Sequence, residues 1–292
     1  MKRRDIPTLL TRLTADLAAG DLTTPALAAH MTDVTGGTDA AGAWSWRQAY
    51  DLVQAAAILA DRPDDAGDPA TRLARLTGAA DARATETRRS ETQVRLQQFS
   101  TPLPFAHVAA VAAAIRPGDV VLEPSAGTGA LAHMARRAGG HVVLNELDPF
   151  RAAVLHEVFG TRPTRHDAEH IDDLLDRTVQ ADVVLMNPPF SSSAVRAGDP
   201  TIALRHALSA AKRLAPGGRL VAILPLAACA ARQPVLWARL MERVAPRLHL
   251  VLPGVVYRKM GTTVETALLV ANRVDDGESV EVPILPEPVA DL

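Results

Sequence analysis

The chain has 292 residues, 48% of them hydrophobic and 22% charged, with a formal net charge of −2 at pH 7. That apolar fraction supports a sizeable core and excludes wholesale disorder, and the near-neutral balance excludes a uniformly basic nucleic-acid binder. The single cysteine, Cys229, excludes an internal disulfide and a cysteine-only metal site; no apolar run approaches the length of a membrane span, so the expected compartment is the cytoplasm.

Residues 1–98 read as a helical N-terminal region. The start has basic residues, but Thr11, Arg12 and Asp16 break its apolar run, which suits an amphipathic helix better than a signal peptide. Ile6, Leu9, Leu10, Leu13 and Leu17 recur at helical spacing, as do Tyr50, Leu52, Val53, Ala56, Ala57 and Leu59. Thr35 to Asp39 reads as a loop and Asp61 to Pro69 as a turn-rich linker. A further helix is expected from about Ala70 to Gln97, weakened at Gly78. Trp44, Trp46 and Tyr50 form a small helical core or, alternatively, a face for a protein partner.

From Asp119 onward, short apolar runs alternate with helical segments, the signature of an α/β sheet with right-handed crossovers. Seven strands are predicted: DVVLEPS, HVVLNELD, a short segment ending at Asp167, ADVVLMNPP, GRLVAILPL, RLHLVLPG and VETALLVANR. No clear helix separates the last two, so they should pair antiparallel at one edge. The expected fold class is a mostly parallel, Rossmann-like α/β sheet of seven strands with an antiparallel last strand.

The turn Glu123-Pro124-Ser125-Ala126-Gly127-Thr128-Gly129 follows the first strand and precedes an Ala-rich helix. Its glycines let backbone approach a ligand closely at the carboxyl edge of a sheet. It lacks both the third glycine of the dinucleotide fingerprint and the Gly-Lys-Ser/Thr of a phosphate loop. The second strand ends in Asn145-Glu146-Leu147-Asp148, where Glu146 can accept from two vicinal ribose hydroxyls and Asp148, before Pro149, can cap a helix. Asp167, followed by Ala168, is placed to accept from an adenine amino group, or is a solvated carboxylate. His166 and His170 lack the supporting ligands of a zinc motif, so no metal is expected.

The fourth expected strand runs into Asn187-Pro188-Pro189-Phe190. Two prolines stiffen the chain and remove two donors. The Asn187 side-chain oxygen and the Pro188 carbonyl can then both accept from one planar NH2 group, while Phe190 offers a ring for stacking.

The order Phe99-Ser100-Thr101-Pro102, VLEPSAGTG, NELDP, His166-Asp167-Ala168 and NPPF resembles class I S-adenosylmethionine-dependent methyltransferases of the adenine-N6 type, over roughly residues 95–273. More narrowly, QQFSTPLPFAHVA with LEPSAGTGAL is similar to the methyltransferase-like domain found beside strawberry-notch-type helicases, although no helicase motif is present here. The resemblance implies a methyltransferase domain over 99–292, with S-adenosyl-L-methionine as cofactor. It implies cofactor contacts from Phe99, Thr101, Pro102, Glu123, Ser125, Gly127, Gly129, Glu146, Leu147, Asp167 and Ala168. The catalytic element would be Asn187, Pro188, Pro189 and Phe190, with Phe190, Tyr257 and Lys259 touching substrate.

The implied reaction is methyl transfer to an exocyclic amine, adenine N6 of DNA first. RNA adenine, a protein glutamine amide and a non-catalytic binding subunit are the alternatives. A basic excess from Arg205 to Lys259, opposed only by Glu242, is read either as a phosphate-binding face or as ordinary solvated arginines.

Overall fold

A computed structural model describes residues 1–61, 68–83, 86, 100–190, 198–252, 254, 257 and 264–275. Four helices come first: α1 (Ile6–Ala19), α2 (Thr24–Thr35), α3 (Trp46–Ala60) and α4 (Pro69–Ala82). Ser45 and Gln48 form a reciprocal capping box at the start of α3. Helix α4 runs through Gly78 but stops at Ala82, where Arg83 turns extended. It is therefore shorter than the periodicity predicts; residues 84–85 and 87–99 lie outside the described residues.

The second part alternates α5 (Leu103–Ala112), β1 (Val120–Glu123), α6 (Ala130–Arg137), β2 (His141–Leu144), α7 (Pro149–Phe159), α8 (Ile171–Leu174) and β3 (Ala181–Met186). It continues with α9 (Ile202–Ala211), β4 (Leu214–Pro225), α10 (Pro234–Met241), β5 (Val244–Leu252) and β6 (Thr266–Arg273). The sheet order is β2-β1-β3-β4-β6-β5, parallel from β2 to β4, with β6 antiparallel to both of its neighbours. The last two strands pair as expected, with β6 inside and β5 at the edge.

Six strands are found among the described residues, not seven. The expected third strand shrinks to one parallel bridge between Thr164 and Asn145. Pro163 has no N–H to offer a ladder, and the next ladder bonds are replaced by a side chain. Asn145 Oδ1 accepts from His166 N at 2.9 Å, and Asn145 Nδ2 donates to His166 O at 2.9 Å.

Two apolar layers cover the sheet. Ala203, Leu204 and Ala207 of α9, with Trp237 and Leu240 of α10, pack on one side; Phe105, Ala106 and Ala109 of α5, with Leu131 of α6, pack on the other. Helices α1–α3 share a further cluster with Leu144 of β2 and Val154, Leu155, Val158 and Phe159 of α7. Trp44 and Trp46 meet edge to face at 5.1 Å, and Trp46 lies 5.7 Å from Tyr50. The apolar residues that could have formed a docking face are thus largely buried in the chain's own core. No described helix is long and apolar enough to cross a membrane.

Candidate functional site

A cleft opens at the carboxyl ends of β1, β2 and β3, where the strand order reverses around β1. Each strand contributes its terminal residues, and the short connections after them supply polar backbone.

After β1, Gly127 (φ 57°) donates its N–H to Glu146 Oε2 at 2.7 Å. Gly129 has φ 95°, and a Cβ there would fall 2.5 Å from Cε2 of Phe159. Conformation and packing both demand glycine at that position. Ser125 also lines the cleft. Glu123 is 2% exposed and its Oε2 has no hydrogen-bond partner. Burial, with Glu146 nearby, pushes its carboxyl well above the usual carboxylate range. That orphaned oxygen suits the ammonium of an amino-acid group, which would return Glu123 to its ionised form.

After β2, Glu146 is buried, with Oε1 accepting from Asp148 N at 2.8 Å and Oε2 from Gly127 N. Two amides fix the plane of the carboxylate, and each oxygen keeps a second lone pair for a hydroxyl. Burial raises its pKa, against the Arg151 guanidinium and the two amides. Leu147 is 44% exposed at the cleft, an apolar surface for a planar ring. Asp148 caps α7, its Oδ1 accepting from Phe150 N and Arg151 N, as the sequence suggests.

Asp167 accepts from Glu169 N at 3.0 Å through Oδ1 and lines the cleft beside the buried Ala168. Asp167, Glu169 and His206 each place one ligand atom within 4.8 Å of the others. Both oxygens of Glu169 are already engaged by Arg205, at 2.6 and 3.4 Å. His206 is 5% exposed, and burial lowers its pKa to about 4, so a neutral imidazole lines this wall.

After β3, Asn187, Pro188 and Pro189 line the same cleft. Asn187 Nδ2 donates to Thr101 Oγ1 at 2.9 Å, fixing the amide with its oxygen as the acceptor. Thr101 thus joins the cleft, whereas Pro102 starts α5 as its cap residue.

Two residues depart from expectation. Phe190 is 4% exposed, so stacking on a base requires that ring to be uncovered. Tyr257, expected as a second stacking element, is fully buried and meets Phe105 edge to face at 5.4 Å. Burial raises its hydroxyl pKa, and its place in the core layer gives it a packing role. Phe99 and Lys259 lie outside the described residues.

Part of the basic stretch is neutralised within the fold. Arg205 pairs with Glu169 and Asp199, Lys212 with Asp172 and Arg219 with Asp119. Arg213 donates to the backbone carbonyls of Leu175, Asp176 and Val179. The neutralising groups come from earlier in the chain, so the linear charge count misses them.

Sequence reasoning also missed Asn145, Arg151 and His206. Asn145 donates to Pro124 O at 2.8 Å and to His166 O, and accepts from Thr164 Oγ1 at 2.8 Å and His166 N. It ties together the ends of β1, β2 and the segment after α7. A polar residue ending an apolar strand was its available signal. Arg151 and His206 sit inside helices and carried none.

Residues 110–230 match the methyltransferase small domain family. No curated protein matches the chain. Solved structures of similar fold include a candidate RNA methyltransferase from Pyrococcus horikoshii, 20% identical, TM-score 0.52, covering 70% of this chain and 100% of that one. A candidate class I S-adenosylmethionine-dependent methyltransferase from Listeria monocytogenes is 11% identical at TM-score 0.52, covering 99% and 91%. The modification subunit of a candidate type I restriction enzyme from Vibrio vulnificus is 16% identical at TM-score 0.51, covering 72% of this chain. The chain spans about half of that subunit's length, 52%.

Proposed function

We propose that this chain, whose fold is similar to that of class I S-adenosylmethionine-dependent methyltransferases, takes S-adenosyl-L-methionine as cofactor and methylates an exocyclic amine, with N6 of adenine in DNA as the target. Residues 99–292 form the methyltransferase unit in this reading. The observation that carries it is the Asn187-Pro188-Pro189 corner on the cofactor cleft, with the Asn187 amide oriented by Thr101.

The cofactor-binding groups fit the role. Glu146 would take the ribose hydroxyls, Leu147 and Asp167 the adenine, and Glu123 with the Gly127–Gly129 turn the amino-acid end. When bound, the cofactor supplies a methyl group already activated on a sulfonium, so the protein's work is mainly binding and orientation. The Asn187 oxygen and the Pro188 carbonyl accept from the target NH2 and turn its nitrogen lone pair towards the cleft. The prolines hold this corner rigid, and Phe190 stacks on the base once uncovered. A duplex base would have to leave its stack to reach the corner.

The test is transfer of radiolabelled methyl to unmethylated DNA, with RNA and protein as parallel substrates. Asn187→Ala should lose about a hundredfold in turnover, comparable to removing one orienting group in other active sites, while cofactor affinity stays within about threefold. Glu146→Ala should lose cofactor binding itself. Wild-type turnover in Asn187→Ala would sink the assigned role, and labelling of RNA or protein alone would replace DNA as substrate.

A further inference from the structure

The N-terminal helices reach the cofactor acid through two charged side chains of α3. Arg151 of α7 lines the cleft and donates from both Nε and Nη2 to Asp51 Oδ1, at 3.0 and 2.8 Å. Asp51 is 2% exposed and Arg151 6%, so the pair is dry. One turn earlier on α3, Arg47 donates to Asp148 Oδ2 at 2.8 Å, and its Nε lies 3.9 Å from Asp51 Oδ2. Asp148 in turn donates its N–H to Glu146 Oε1. Residues about a hundred positions apart in sequence therefore meet at Asp148 and Arg151, linked through the Asp148 amide to the carboxylate that the proposed function assigns to the ribose.

Three carboxylates act on Arg151: Asp51, Glu146 and Asp148. Both Asp148 oxygens are already engaged, by the Phe150 and Arg151 amides and by Arg47, whereas Glu146 lines the same cleft as Arg151. A buried guanidinium seeks paired, charge-assisted hydrogen bonds and closes on whichever carboxylate can be reached. Here both side-chain bonds of Arg151 go to Asp51, and the Glu146 oxygens stay on the amides of Gly127 and Asp148. A carboxylate captured by Arg151 would turn its lone pairs to the guanidinium and lose them for hydroxyls. We propose that Asp51 is a positioning residue for the cofactor site: it holds Arg151 close enough to support the charge of Glu146, yet keeps the guanidinium from closing on it. The N-terminal helices are then a working part of the cofactor site. This inference rests on the methyltransferase reading.

Protonation supplies the diagnostic readout. The charged groups acting on Glu146 are Arg151 from α7, Asp148 at its cap and Glu123 from β1, with the Gly127 amide from the glycine turn. Burial raises the Glu146 pKa, so cofactor affinity in the wild type should fall as pH drops through that raised value. Without Asp51, Arg151 turns to Glu146 and lowers its pKa, so the fall-off should move to lower pH while overall affinity weakens. Without either member of the ion pair, Glu146 loses its supporting cation, and the fall-off should move to higher pH.

The experiment is calorimetric titration with S-adenosyl-L-methionine from acid to neutral pH, with thermal unfolding of each variant measured alongside. Asp51→Asn should weaken binding about tenfold at neutral pH, the scale of a lost hydrogen bond to a charged group, with the acid fall-off displaced downward. The double variant Asp51→Asn with Arg151→Met removes both charges at similar volume, a replacement that buried ion pairs often tolerate; its fall-off should be displaced upward. That second variant carries the test if Asp51→Asn does not fold, and an unmoved fall-off in it overturns the proposal. Lowered thermal stability in Asp51→Asn with unchanged affinity and pH profile would also overturn it, leaving a purely structural ion pair. Absence of binding by the wild type at every pH would instead overturn the methyltransferase reading, and this inference with it.

Discussion

At the seam between the N-terminal helices and the sheet, charge is placed inside the molecule. At the β5 edge it is left in water. In the seam, Asp51 meets Arg151, and Asp61, its side chain 1% exposed, meets Arg72, Arg75 and His133 at 2.6, 2.9 and 2.7 Å. The layer beneath α9 and α10 is instead apolar, with alanines and leucines beside Ile171, Met186, Trp237 and Met241. Arg232, Arg239, Arg243 and Arg247 there are exposed, with no ion-pair partner among the described residues. The difference teaches that the density of charge along a sequence does not tell which charges hold the structure. The basic run has exposed arginines at Arg232, Arg239, Arg243 and Arg247, whereas Asp51 inside α3 and Asp61 at its C-terminal end anchor one layer to another.

The largest effect should come from the seam. Asp61→Asn leaves Arg72, 8% exposed, without its carboxylate, and should cost about 3–5 kcal/mol in denaturant unfolding, the usual range for breaking a buried pair. A loss below about 1 kcal/mol, within the surface-pair range, would erase the contrast between the two regions. The loss should also depend on pH. Burial pushes the Asp61 carboxyl up, but the hydrogen bonds from His133 and Arg75 and the charge of Arg72 outweigh it and hold its pKa well below 3.8. A depressed carboxylate contributes fully above its unfolded pKa and loses that contribution as pH falls towards the folded value. The gap between wild type and variant should therefore narrow below 3.8 and stay constant above it.

Gly129→Ala comes next. It places a Cβ 2.5 Å from Phe159 and 2.9 Å from Leu155 at a φ that L-residues rarely adopt. A loss of about 1–3 kcal/mol is expected in thermal unfolding, from strain and overpacking together. A neutral result would mean that the α7 side of the seam can yield, and that its packing is looser than its buried ion pairs imply.

The smallest effect should come from the solvated edge. Arg239→Ala and Arg243→Ala should each change stability by no more than about 0.5 kcal/mol, since neither residue has an ion-pair partner to lose among the described residues. A larger loss in either would show that the β5 edge also uses charge structurally.

Much of the site was legible from local pattern. A glycine turn after an apolar strand, an acid at the end of the next strand and Asn-Pro-Pro after a later one each announce themselves within a few residues. Their shared cleft follows because a parallel sheet brings successive strand ends to one edge. The expected third strand failed because its length invited a strand while Pro163 and the Asn145 side chain took its ladder bonds. Tyr257 failed because a lone aromatic in a loop has the same local signature whether it faces a ligand or the core.

By itself, then, the sequence determined the alternation of strands and helices, the antiparallel ending, and the residues at each strand terminus, because these depend on periodicity and on neighbours close in the chain. Only the tertiary structure decided that Thr101 orients Asn187, that Phe190 and Tyr257 are covered, and that Arg205, Lys212 and Arg219 are neutralised by earlier acids. It likewise decided that Asp51 of the N-terminal helices pairs with Arg151 on the cleft wall. Each of these is a contact between residues tens to a hundred positions apart, and such contacts are set by how layers pack, which leaves no periodic trace in the chain.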